Sequence, residues 1–478
     1  MPGRGLKESR LASLCARHAD KVLTLVPLAV LIWAVARYAV DVPFLDQWDF
    51  VLLLDKMYQG QLTFQDLWAQ FNEHRGFFPK LILLGLARLT GWNIRCETAV
   101  NVGLAIAIFL VLSWQIRQSA KLLGGERLRW AVPACSLVVF SMSQYENWLW
   151  GWQLGLLLGL LTALGSILLL ANQPLRWGRF AGAVVLGIVA TFTFANAVLV
   201  WPIGLALLCW LRPGGRARGA AIGAWILAAV LCMWLYLRDY QKPAQHPALN
   251  LILDNPAAYA GYFLKFIGST CAQYGDGGVL PDHTWALLLG LGGLTVLGWA
   301  GWNLLPFRQG GRADRAVLAP YLAMCAYSLG TALMTATARA GFGQNQSLAS
   351  RYCSLTGPLW FSLIVLLMLL SRSYQNSQNA APGDRVGASR TPATNERIAQ
   401  WLLLGVISFL TFSSGFGVRS AKELSRHLDN GRRFVLALAT NPSPNSAHDE
   451  LWTLFPSPKA VVERYPVLVR YRLSTFRD

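Results

Sequence analysis

The sequence predicts an all-α polytopic membrane protein of about eleven transmembrane helices, with amphipathic interfacial helices in its first outer loop. Three observations carry this. Only 14% of the 478 residues are charged and 54% are hydrophobic, whereas soluble domains carry roughly 25% charged residues. Long apolar runs recur to about residue 414, and a helical span needs about 20 mostly apolar residues. Short basic loops separate them at 1–21, 117–130, 171–179, 211–219, 306–315 and 372–397, and hold half of the 42 Lys and Arg. Such loops face the cytoplasm by the positive-inside rule. The net charge of +18 is therefore a topology signal, with the lipid bilayer as partner and no nucleic acid implied.

The eight cysteines are scattered, mostly within apolar runs, with no CxxC pair. They read as small buried hydrophobes, not as a disulfide framework or zinc site. The apolar run Val22 to Val40 follows a basic N-terminus but has no small-residue cleavage site. It reads as an uncleaved first span, with the N-terminus cytoplasmic in a bacterial-type inner membrane.

The first span, about 22–40, leads into outer loop 1 at 41–96. Its stretch DVPFLDQWDFVLLLDKMYQGQLTFQDLWAQFNEHRGFFPK, residues 41–80, carries six of the chain's 24 acidic residues. Thr63 and Asp66 have capping-box spacing, so a short helix over 63–71 is expected, with Asp66 structural. Phe77 to Thr90 has 14 residues and includes Lys80 and Arg88. It is too short and too charged to span, and reads as a helix lying on the membrane. Spans follow at about 97–117, 130–144 and 154–171. The outer turn QYENWLWGWQ sets Trp148, Trp150 and Trp152 at the level of an aromatic belt.

Phe180 to Trp210 lies between basic flanks and is too long for one span. A tight hairpin turning near 194–197 is expected. A span at 219–237 leads to a second outer loop, 238–283, with a surface helix near 256–269. Spans at about 284–305, 316–336 and 353–371 precede the Ser-, Asn-, Gly- and Pro-containing cytoplasmic linker 372–397. A last span, 398–414, completes the transmembrane domain 1–414 and leaves 415–478 as an outer-face C-terminal tail.

The residues able to do chemistry cluster on the outer side. Asp46 and Asp49 sit just past the first span, interleaved with Phe44, Trp48 and Phe50. A partly desolvated carboxylate there has its pKa raised and suits a general base. Glu73, His74 and Arg75, with Glu146, form a candidate substrate-binding group. No cofactor is implied; a divalent metal would need more ligands than Glu73 and His74, such as Glu146 or His283. Arg339 and Arg351 flank the GFGQNQSLAS turn, where their guanidinium groups could grip a lipid phosphate. Lys80 is a further phosphate candidate, with headgroup anchoring as its bland alternative.

The segments DQWDFVLLLDKMYQGQL and FFPKLILLGLARLTGWNIRCETAV, with the span after them, make this chain resemble a known family. It is similar to the GT-C superfamily of integral-membrane glycosyltransferases, especially the protein O-mannosyltransferase and aminoarabinose transferase branch. The shared order is a span, an acidic residue, a short helix, a Gly turn, a KxxL-type amphipathic helix and a Gly-x-Asn-x-Arg element. The resemblance covers about the first 120 residues; DQWD stands where the branch has an Asp-Glu pair. It implies an inverting transfer from a polyprenyl-phosphate sugar donor to a glycan, lipid or protein hydroxyl, with an aspartate base in the first outer loop. It favours Asp46 for that role. The alternatives are a transporter or flippase of a lipid-linked saccharide or small solute, and an assembly partner in envelope polysaccharide synthesis. A transporter is expected to carry charges and broken helices near the midplane, whereas these charges lie at span ends.

Overall fold

The computed structural model describes residues 4–123, 126–172, 174, 176–211, 215–243, 251–273, 281–304, 312–379, 393–440 and 451–477. Among them the protein is helical, with no strand beyond one isolated bridge between Phe71 and His74. Eight helices are long and apolar enough to cross a membrane, as in a multi-pass membrane protein.

In chain order, α1 is Arg4–Tyr38, α2 Gln47–Tyr58, α3 Phe64–Trp68, α4 Phe77–Thr90 and α5 Ile94–Leu123. Then come α6 Ala131–Val139, α7 Tyr145–Leu149, α8 Leu154–Ala171, α9 Trp177–Thr191, α10 Val200–Leu211 and α11 Arg216–Leu237. The chain continues with α12 Leu251–Asp254, α13 Pro256–Gly268, α14 Asp282–Asn303 and α15 Arg312–Arg339. It ends with α16 Cys353–Asn379, α17 Ala393–Thr440 and α18 Pro458–Tyr471.

All eleven predicted apolar segments are helical, but eight, not eleven, reach spanning length. The expected hairpin over 180–210 forms as two shorter helices, α9 and α10, with the turn at 192–194 and a 3₁₀ segment at Ala195–Leu199. The third expected span, 130–144, is corrected: α6 has nine residues, about 14 Å at 1.5 Å per residue. Pro133 sits in its first turn, and Ser141 and Ser143 engage each other and the local backbone beyond its end. Such local side-chain bonds compete with helix continuation.

The last expected span, 398–414, is only the first part of α17, which has 48 residues. Nothing between Ser413 and Thr440 breaks it: no proline occurs there, and Gly415, Gly417 and Gly431 are tolerated. Gly417 is needed, because a Cβ there would stand 2.0 Å from the Met142 carbonyl oxygen. The expected linker 372–397 is shorter than its composition suggests, since α16 runs to Asn379 and α17 starts at Ala393. Its middle, 380–392, lies outside the described residues.

Two cores organise the protein. One is the helical bundle, where α13 and α14 approach closely: a Cβ on Gly268 would stand 1.9 Å from Ala286 O, and one on Gly290 2.0 Å from Leu264 O. Small residues permit such contact where lipid offers no hydrophobic drive for helix association. The other core joins the first loop to the C-terminal segment. Trp48, Val51 and Leu54 of α2 and Leu83 and Ala87 of α4 pack with Leu428, Leu454, Val461 and Leu468. The tail is therefore part of the wall around the first loop.

Candidate functional site

The start of α2, the α4 entry, the α9–α10 turn and the ends of α11, α15 and α16 surround one cavity of about 580 Å³. Its polar lining includes Asp46, Glu73, His74, Arg339, Arg351 and Tyr352. Its apolar lining includes Leu83, Leu156, Met233, Leu237, Met334 and Ala338. Aromatic rings of Phe71, Trp150, Trp152, Tyr240 and Phe455 complete it.

Asp46 occupies the N-cap position of α2, yet its side chain makes no capping bond. It has no hydrogen-bond partner among the described residues. The next residue does the anchoring. Gln47 Oε1 accepts from the Phe44 N–H at 3.1 Å, and its Nε2 donates to Glu97 Oε2 at 2.6 Å. Glu97 also accepts from Trp92 Nε1 at 2.8 Å, so α2 is fixed to α5 without using Asp46. Burial pushes the Asp46 carboxyl up to about 6, with Asp49 and Glu73 adding to the rise and Arg351 and Arg339 opposing it.

Asp49 is elsewhere. It forms an ion pair with Arg464 of α18 at 2.6 Å and lines a separate cavity of about 210 Å³. The two acids at the start of α2 thus go to different places: the N-cap Asp46 to the main cavity and Asp49 of the first turn to the tail.

Arg339 and Arg351 both line this cavity. Arg351 Nη1 lies 2.8 Å from Glu146 Oε1, while Glu146 Oε2 accepts from the Arg351 N–H at 3.0 Å and Ser350 Oγ at 2.9 Å. The Arg351 guanidinium lies over the Trp150 and Tyr352 rings. Arg339 pairs with Glu73 and donates to Tyr352 Oη at 3.3 Å. Burial works against the Glu73 carboxylate, but His74 and Arg339 outweigh it and hold its pKa down at about 2. The cavity lining thus holds Arg339 paired with Glu73, Arg351 paired with Glu146 behind it, and the Asp46 carboxyl, which forms no ion pair among the described residues.

The other predicted site residues turn to backbone. His74 Nδ1 accepts from the Ala195 N–H at 3.0 Å and the ring stacks on Phe194. Its Nε2 lies 3.6 Å from Glu73 Oε1. Arg75 is buried; it donates to Tyr236 O at 2.5 Å, Trp68 O at 3.2 Å and Arg238 O. It ties the first loop to the C-terminal carbonyls of α11. Asp66 completes the expected capping box with Thr63 and pairs with Lys56.

Lys80 lines the cavity, but its Nζ donates to the carbonyls of Asp66, Leu67 and Ala69 at 3.1, 3.3 and 2.6 Å. These are the last carbonyls of α3, a favourable seat for a cation. Burial lowers its pKa to about 8. Lys80→Met is therefore expected to lower stability by about 1.5–3 kcal/mol, the range for bonds to a charged donor. Thermal unfolding in detergent checks this; unchanged stability would overturn a structural role for Nζ.

Sequence reasoning missed Tyr352, Tyr240, Phe455 and the 193–196 turn as lining residues. Thr191, Thr193 and Asn196, polar within an otherwise apolar run, were the available signal for the turn. Among the described residues no three His, Cys, Asp or Glu gather closely enough to hold a metal ion. No known protein family matches the chain, and no curated protein matches it.

Proposed function

We propose that the chain is a membrane glycosyltransferase of the GT-C kind, with the cavity on the outer face of a bacterial-type inner membrane. It moves a sugar from a polyprenyl-phosphate donor to a hydroxyl on a glycan, lipid or protein. The observation that carries the reading is Asp46: a half-buried carboxyl without a hydrogen-bond partner among the described residues, in a cavity that also holds two arginines.

In the proposed reaction Asp46 takes the proton of the acceptor hydroxyl, whose oxygen attacks the anomeric carbon. The bond from that carbon to the phosphate oxygen breaks, and the phosphate leaves with the electron pair and inversion at carbon. Its second negative charge develops beside Arg351 and Arg339. Each guanidinium has five N–H donors, and the carboxylates take only some of them. Fixed donors of this kind stabilise developing charge without reorganising during the reaction. The apolar lining suits the first isoprene units of a lipid donor, and the surrounding rings suit a sugar's C–H faces. The first span, leaving a basic cytoplasmic N-terminus, would put the acidic loop outside, with the tail that packs against it on the same side.

A base with a pKa near 6 works only when ionised. The kcat/KM profile is therefore expected to rise with pH through about 6 and stay level above it. Rates between pH 4.5 and 8.5 on reconstituted protein with a polyprenyl-phosphate sugar check the limb; a profile flat through pH 5 removes Asp46 as base. Solute accumulation in the same liposomes without sugar transfer would mark a transporter or flippase instead.

A further inference from the structure

The C-terminal segment reaches the candidate base through backbone and charge. Leu454 O accepts from the Leu45 N–H at 2.7 Å, directly before Asp46. Leu45 has φ +48°, a left-handed conformation that a leucine keeps only when its surroundings hold it. Leu451 and Leu454 are fully buried, and the next residues, Phe455 and Pro456, line the main cavity. Arg464 lies over the Phe455 ring and pairs with Asp49.

We propose that residues 451–464 are a positioning element for Asp46: the Leu454 carbonyl holds the Leu45 turn that presents the carboxyl, and Arg464 neutralises Asp49 beside it. This rests on reading Asp46 as the base. Arg464 is then a positioning residue, acting through Asp49 without touching substrate. The charges facing Asp46 are Asp49 on α2, Glu73 from the first loop, Arg339 at the end of α15 and Arg351 before α16. Asp49 raises the Asp46 pKa. Stripping Asp49 of its cation strengthens that effect, so the acid limb moves to higher pH; removing the Asp49 charge moves it to lower pH.

The test is the pH profile of kcat and kcat/KM for wild type, Arg464→Ala, Arg464→Lys, Asp49→Asn and the Arg464→Ala/Asp49→Asn pair. Arg464→Ala is expected to shift the limb up by about half to one pH unit, costing about three- to tenfold below the limb and little above pH 8. Arg464→Lys keeps the wild-type limb, Asp49→Asn lowers it, and the double variant reverses the upward shift. Asp49→Asn leaves Arg464 and its ring contact in place, so its shift decides the matter if Arg464→Ala fails to fold. A uniform loss at every pH in Arg464→Ala, or an unmoved limb in Asp49→Asn, overturns the inference. Loss of the limb from wild type, or full activity in Asp46→Asn, instead overturns the base itself.

Discussion

Asp46→Asn is expected to cut sugar transfer by roughly 10²–10⁴-fold, the usual contribution of a positioned general base. Membrane insertion and solubility in detergent should be unchanged. Among the described residues nothing leans on that carboxylate: it caps no helix and accepts no bond, and Gln47 fixes the turn instead. Asparagine also removes a charge that burial already disfavours. Asp49→Asn should retain activity within about tenfold at pH 8, because its partner is Arg464 and it lines a different cavity. Residue types alone gave these two aspartates the same standing and only the family resemblance favoured Asp46; the different partners of the two carboxylates predict different phenotypes. Product formation by purified variants, at matched amounts of folded protein, compares them. Comparable loss in both, or full activity in Asp46→Asn, would sink the assignment.

Arg351→Ala should have the second largest effect, and for two separable reasons. Removing one partner of a buried ion pair typically costs about 3–5 kcal/mol, because the other charge is left uncompensated. Glu146 would be that charge, with only neutral donors remaining from Ser350 and the backbone. If the guanidinium also serves the phosphate, donor KM should rise far more than acceptor KM. The double variant Glu146→Gln/Arg351→Met separates the two contributions. It removes both charges, so stability should recover most of the loss, while donor use should not. Recovery of both together would make Arg351 a structural residue only.

How much of this was readable beforehand follows from the range of the forces involved. The helices α4 and α13, the capping box at Thr63 and the α9–α10 hairpin depend on local spacing and length, and each appears where the pattern put it. Residue chemistry alone could not separate Asp46, which the resemblance favoured, from Asp49, because their difference depends on Arg464, 415 residues from Asp49 in sequence. Arg75 read as a substrate-binding candidate and Lys80 as a phosphate or headgroup one; both spend their donors on carbonyls whose positions only the tertiary fold sets. The end of α17 was misplaced because falling hydropathy was taken as the end of a helix. At 48 residues that helix is about 72 Å long, more than twice the roughly 30 Å of a hydrocarbon core. Its later turns are held by the second core, not by lipid.

The two carboxylate–guanidinium pairs also impose an order on biosynthesis. Glu73 precedes Arg339 by 266 residues, and Glu146 precedes Arg351 by 205. Chains grow at about 5–20 residues per second, so each acid waits roughly 10–50 s for its cation. Until then both carboxylates must stay hydrated or protonated, and the cavity cannot close around them. The site's charges are balanced only once α15 and the start of α16 have been made. A chain stalled before residue 339 would therefore hold every acid of the site and neither of its arginines, a half-built nascent chain with an open, acidic pocket.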